Sequence, residues 1–111
     1  GNLDVCRDFM DVRDVCDAYV VLLMKGRMGE TYNVCSGQSY RVGDLLRELC
    51  ALAGTHVAIR VDVSRLRPVE TPELRGDPSK MSSHTGWKAK TPIQETLKAL
   101  LDYWDGELGR A

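Results

Sequence analysis

Three of the four prolines fall within residues 67–80, and they dictate the backbone there. The stretch reads Arg67-Pro68-Val69-Glu70 and continues Thr71-Pro72-Glu73-Leu74-Arg75-Gly76-Asp77-Pro78-Ser79-Lys80. Pro68 fixes its own φ and pushes Arg67 into an extended conformation; Pro72 does the same to Thr71. No helix can run through such a segment, and a rigid polar strand of this kind is a poor core element. It is a good ligand clamp. Arg67 offers a planar fork suited to phosphate oxygens, and Glu70 an acceptor suited to sugar hydroxyls. On residues alone the alternative is a pair of solvated surface charges.

The remainder must supply the fold. A chain of 111 residues, 43% hydrophobic and 28% charged, is expected to form one ordinary globular domain with a modest core. Its net charge of −1 gives no general attraction to nucleic acid or to an anionic membrane, so neither is expected as a partner. Any anion must be held by local arginines. No apolar run reaches membrane-spanning length, and a cytoplasmic location is expected. The four cysteines, Cys6, Cys16, Cys35 and Cys50, show no C-x-x-C spacing, and neither His56 nor His84 stands at ligand spacing from one. They read as buried thiols in a reducing compartment, and no metal is expected. The chain opens at Gly1-Asn2 without an initiator methionine and enters a structured segment almost at once, as a piece of a longer protein would.

Taken in order, residues 4–10 read as a strand, with Val5, Arg7 and Phe9 alternating against Cys6, Asp8 and Met10. An arginine in line with two apolar residues either faces a ligand or pairs with a neighbouring aspartate. Asp11 starts a helix that ends at Gly26, its apolar stripe being Val12, Val15, Cys16, Tyr19, Leu22 and Leu23. Asp8, Asp11, Asp14 and Asp17 recur every three residues and read as a cap plus a solvated face. Residues 30–35 form a second strand, residues 40–42 a brief extended piece, residues 43–53 a second helix, and residues 56–61 a third strand. A single helical turn over 62–66 leads into the clamp. Asp77 and Pro78 begin a short helix to about Ser83, followed by a Gly86-Trp87 turn with a buried indole. Thr91, Pro92 and Gln94 carry the cap signals of a last helix, with Ile93, Leu97, Leu100, Leu101 and Trp104 on one face and Gly106 as its stop. The fold class is mixed α/β. The boundaries drawn are a domain over 1–105 and a tail over 106–111. No Ser-His-Asp arrangement is present, and Ser36-Gly37-Gln38-Ser39 is too short for a phosphate loop.

In order along the chain stand Gly1-Asn2-Leu3-Asp4, Arg7-Asp8-Phe9, Asp11-Val12-Arg13-Asp14-Val15, Tyr32-Asn33-Val34-Cys35-Ser36-Gly37, Arg67-Pro68-Val69-Glu70, Gly76-Asp77-Pro78-Ser79-Lys80 and Gly86-Trp87. This series resembles the C-terminal, substrate-binding part of extended short-chain dehydrogenases/reductases acting on nucleotide sugars. It is most similar to GDP-4-keto-6-deoxy-D-mannose reductases, then to GDP-mannose 4,6-dehydratases. The resemblance runs from Gly1 to about Trp104. Two positions depart from it: Ala89 stands where proline often follows Gly-Trp-Lys, and Glu70 stands where the reductases commonly carry aspartate.

The resemblance implies a division of labour. The Rossmann part of such enzymes carries the glycine fingerprint, the NAD(P)H site and the Tyr-x-x-x-Lys pair, none of which occurs here. No catalytic residue and no cofactor is therefore expected in this chain, and NAD(P)H belongs to the intact parent. By motif match, Arg7 and Arg67 would bind the diphosphate of a GDP-sugar or related nucleotide sugar, and Glu70 would accept from the ribose. Asn2 would lie near the nucleotide. The resemblance also implies that the strand at 32–36 normally joins the Rossmann sheet, with the Asp11 helix packed against it. Without those neighbours the chain is expected to self-associate as a homo-oligomer. The alternative is a stand-alone oligomeric interaction module that binds no nucleotide sugar.

Overall fold

Cys6 and Arg7 form the central strand, β1, of a small three-stranded sheet. The computed structural model describes residues 2–68 and 70–109. Gly1 of the first motif, Val69 of the clamp and residues 110–111 of the tail lie outside them. On one side β1 pairs antiparallel with β2 (Tyr40–Arg41), Cys6 opposite Arg41 and Arg7 opposite Tyr40. On the other it pairs in parallel with β3 (Glu73–Leu74), Cys6 opposite Glu73 and Arg7 opposite Leu74. The proline-framed segment thus does more than clamp: Pro72 accepts from Cys6 N–H at 2.8 Å and Leu74 from Asp8 N–H at 3.0 Å, making it an edge of the sheet. An extended backbone with its carbonyls free is what an edge strand needs.

Helix α1 (Val12–Lys25) is capped by the Asp11 carboxylate, which accepts from Arg13 N–H at 2.8 Å. Helix α2 (Val42–Leu52) leaves β2 directly. A 3-10 turn at Val63–Arg65 is capped by Asp62, as the expected turn before the clamp requires. Helix α3 (Ser79–Thr85) starts under the Asp77 carboxylate, which accepts from Ser79 N–H, and ends at Gly86 in the left-handed region, φ 78°. Helix α4 (Ile93–Glu107) completes the chain. It runs through Gly106, and the left-handed residue beyond it is Gly109, φ 64°, so Gly106 is not the stop. Its expected cap also differs: Thr91 N–H bonds Asp14, and no side chain caps the helix.

Helix α1 packs on α3 and α2 on α4. Two small cores result. Ala18, Met81 and Trp87 make one, joined by Tyr32 and Val34; Leu45, Ile93 and Leu97 make the other, joined by Tyr40 and Leu49. The indole at Trp87 is buried, as its turn position predicts.

Several expectations are corrected. Helix α1 buries Asp14 and Ala18, whereas Val12, Cys16, Tyr19 and Leu23 of the expected stripe are exposed, Leu23 at 88%. On the inward face the wholly buried Ala18 packs with Met81 of α3. Cys16 therefore lies exposed and the other three cysteines half-buried, rather than all buried. Leu100 and Trp104 of α4 are likewise exposed. Residues 30–35 and 56–61 form no strand, because no ladder partner lies beside them among the described residues. Val57, Ile59 and Val61 are left exposed in consequence. The strand expected over 4–10 contracts to the two residues that find partners on both sides. The molecule is a slab, 49 × 40 × 18 Å, with a radius of gyration of 16.9 Å. A compact chain of this length would have about 13 Å.

Candidate substrate-binding site

Strand alternation sends adjacent residues of β1 to opposite faces, and here it separates two tasks. Arg7 points to the clamp side. Its Nη1 donates to the carbonyls of Cys6 at 2.7 Å and Thr71 at 3.0 Å, and its Nη2 lies 3.5 Å from Glu70 Oε1. Two of the expected site residues are thus in one place, each with about a quarter or less of its side chain exposed. Between the alternatives of ligand and aspartate for Arg7, its acidic neighbour is Glu70, brought from the other end of the chain.

Arg67 lies three residues before Glu70, exposed, and forms no ion pair among the described residues. Asn2 is engaged locally: its carbonyl oxygen accepts from Asp4 N–H at 2.9 Å. The structure therefore joins Arg7 to Glu70, sets Arg67 on the same framed segment, and leaves Asn2 apart.

Asp8 takes the opposite face and holds the strand in position. Its carboxylate accepts from Ser36 N–H at 3.0 Å, Ser36 Oγ at 2.6 Å, Gly37 N–H at 2.9 Å and Gly76 N–H at 3.2 Å. Ser36-Gly37 is thus an anion-binding turn whose anion is internal. Two more aspartates of the three-residue series are buried rather than solvated. Asp14, 1% exposed, accepts from Lys90 N–H at 3.0 Å and Thr91 N–H at 2.8 Å. Asp11, 4% exposed, accepts from Arg13 and from Thr96 Oγ1; the Arg13 hydrogen bonds outweigh burial and hold its carboxyl well below the usual range. These three supports were missed as such, and the available signal was their Asp-x-x-Asp spacing at a helix start.

The enclosed spaces lie elsewhere. A groove of about 460 Å³ runs past Phe9, Gln38, Tyr40, Lys90 and Gln94, and contains neither Arg7 nor Glu70. Arg7 and Glu70 stand outside that groove, at the edge of the sheet, with 25% and 20% of their side chains exposed. No cluster of three metal-ligating side chains occurs among the described residues.

A profile of the family described as GDP-mannose 4,6 dehydratase matches residues 1–100. The chain belongs to that family. Among curated members it is 39% identical over 108 residues to a GDP-6-deoxy-D-mannose reductase of Pseudomonas aeruginosa, covering 97% of this chain and 36% of the relative. Among solved structures of extended short-chain dehydrogenases/reductases, it superposes on RMD from Pseudomonas aeruginosa complexed with NADPH with a TM-score of 0.90, at 38% identity. That match covers 96% of this chain and 35% of the other. A UDP-glucose 4-epimerase with UDP-glucose from Thermotoga maritima matches with a TM-score of 0.86 at 25% identity, covering 97% and 34%. The chain thus spans about a third of the length of the relatives it matches, and its fold is that of their C-terminal portion.

The β2–α2 junction is the one place among the described residues where a strand feeds directly into a helix. There Gly43 N–H is already bonded to Leu3 O at 2.9 Å, and an added Cβ would sit 3.1 Å from that oxygen. A pyrophosphate has no room at that helix start.

Proposed function

We propose that this chain is the nucleotide-sugar-binding portion of an oxidoreductase, in the manner of a GDP-4-keto-6-deoxy-D-mannose reductase. Arg7 and Arg67 bind the diphosphate and Glu70 accepts from the ribose, with Asn2 near the nucleotide. The observation that carries this reading is the Arg7–Glu70 pair at 3.5 Å on a rigid framed edge. Support comes from 39% identity to a protein described as a GDP-6-deoxy-D-mannose reductase. Two guanidiniums suit a diphosphate, and one carboxylate suits a cis-diol. The proposed boundaries are a binding domain over 1–105 and a tail over 106–111, with the last residues of α4 reaching across to Glu107. Four free thiols and the absence, among the described residues, of any helix able to cross a membrane support a cytoplasmic setting.

Calorimetric titration with GDP tests the reading: wild type releases heat, and Arg67→Ala and Arg7→Ala each weaken binding at least several-fold. Equal and negligible heats in all three refute it. The 111 residues alone are inactive with NADPH and the keto-sugar nucleotide, since no Tyr-x-x-x-Lys pair occurs in them; turnover by this chain would overturn that part. A second reading, a self-associating module, is favoured by the exposed Val12, Tyr19, Val20, Leu23 and Met24 on one helix. That module would bind no nucleotide sugar, so the GDP titration separates the two readings.

A further inference from the structure

The guanidinium of Arg7 is held differently at its two edges. Nη1 is engaged by two backbone carbonyls, Cys6 O at 2.7 Å and Thr71 O at 3.0 Å, so its plane is set without help from any anion. Nη2 meets Glu70 only at 3.5 Å, beyond the roughly 2.7–2.9 Å of a charge-assisted hydrogen bond. With 25% and 20% of the two side chains still exposed, such a pair is weak and easily exchanged. Glu70 is delivered to this edge by backbone pinned just beyond it: Thr71 O receives Arg7, and Pro72 O receives Cys6 N–H.

Resting on the substrate-site reading above, we propose that Glu70 is a place-holding counter-ion for Arg7. With no nucleotide bound it neutralises the half-buried guanidinium, which would otherwise stand unpaired at the centre of the sheet. A diphosphate, carrying more charge and able to meet the guanidinium at full hydrogen-bond distance, displaces it. The released carboxylate is then free to turn to the ribose. No covalent bond changes; one anion replaces another. The exchange makes Glu70 a specificity-determining residue, because a singly charged anion gains little by replacing a carboxylate already in place.

Inorganic pyrophosphate separates the two roles of Glu70, since it has phosphates and no ribose. Calorimetric titrations would compare pyrophosphate and GDP on wild type, Glu70→Gln, Glu70→Asp and Arg7→Leu, with thermal melts to confirm folding. Glu70→Gln is expected to bind pyrophosphate several-fold more tightly than wild type, and to gain less, or lose, with GDP. Glu70→Asp keeps the charge and falls between, and Arg7→Leu abolishes pyrophosphate binding. If GDP binds wild type but pyrophosphate binds Glu70→Gln no better than wild type, the exchange is overturned and the substrate-site reading stands. If neither ligand binds wild type or Glu70→Gln, that reading falls and the exchange with it.

Discussion

Gly76 lies so close to Cys35 that a Cβ built on the glycine would sit 2.5 Å from the cysteine sulfur and 2.6 Å from its Cβ. This contact brings the end of the clamp onto the segment that carries Ser36-Gly37, while Gly76 N–H reaches Asp8 on the same side. Gly76→Ala must push these segments apart, and overpacking of this kind costs about 1–3 kcal/mol. Denaturant unfolding is expected to show the loss. Adding Cys35→Ala does not restore stability fully, because the cysteine Cβ blocks the new methyl as well as the sulfur does.

Asp14 gives a second test. Both of its bonds to the Lys90 and Thr91 N–H groups fall on one oxygen, Oδ2. Asp14→Ala leaves both donors without an acceptor and is expected to cost about 2–3 kcal/mol. Asp14→Asn can place its carbonyl oxygen at the same point and accept both, so it should cost clearly less. Equal losses in the two variants would show that charge, rather than the acceptor, matters.

Local reading served best where an aspartate caps its own turn, and it failed at α4, where Thr91 is taken by Asp14 and Gly106 lies inside the helix. Asp11, Asp62 and Asp77 each cap their own turn within two residues, so the starts of α1, the 3-10 turn and α3 are legible from a few adjacent letters. The long-range bonds of Asp8, Asp14 and Asp11 were not legible, because their partners Ser36, Lys90 and Thr96 stand 28, 76 and 85 residues away. Periodicity along one chain cannot show which distant donor arrives. The strands expected at 30–35 and 56–61 fail for the same reason: β-propensity is expressed only where a neighbour completes the ladder. The resemblance named Arg7 and Glu70 for one site, but the direct ion pair between them was not among its implications.

Acid should weaken the fold through Asp11. Its native pKa lies below the ordinary value of 3.8, chiefly because of the Arg13 hydrogen bonds. The stability it contributes is complete above that ordinary value and is lost as pH falls through it toward the lower native value. Denaturant unfolding of wild type and Asp11→Asn, from about pH 6 to about pH 2, should show wild type the more stable at the upper end. The difference should narrow toward the lower end. A difference independent of pH would exclude this carboxylate as the source.

The exposed apolar side of α1 predicts association. Sedimentation of the 111-residue chain at concentrations on the order of tens of micromolar should show species larger than a monomer. Leu23→Lys, at a side chain 88% exposed, should shift the population toward monomer without loss of the fold. A stable monomer for wild type over that range would sink the prediction.

The two small cores meet through ionised side chains. Helix α1 belongs to the core of Ala18, Met81 and Trp87, and α4 to that of Leu45, Ile93 and Leu97. Asp11 binds Thr96 within α4, and Asp14 binds the two N–H groups just before it. Hydrocarbon packing in this slab is therefore local to each half, and polar bonds join them: two carboxylates and the β1–β2 ladder. Removing both carboxylates is expected to loosen that coupling, so that the amide protons of the two halves exchange at rates further apart than in wild type.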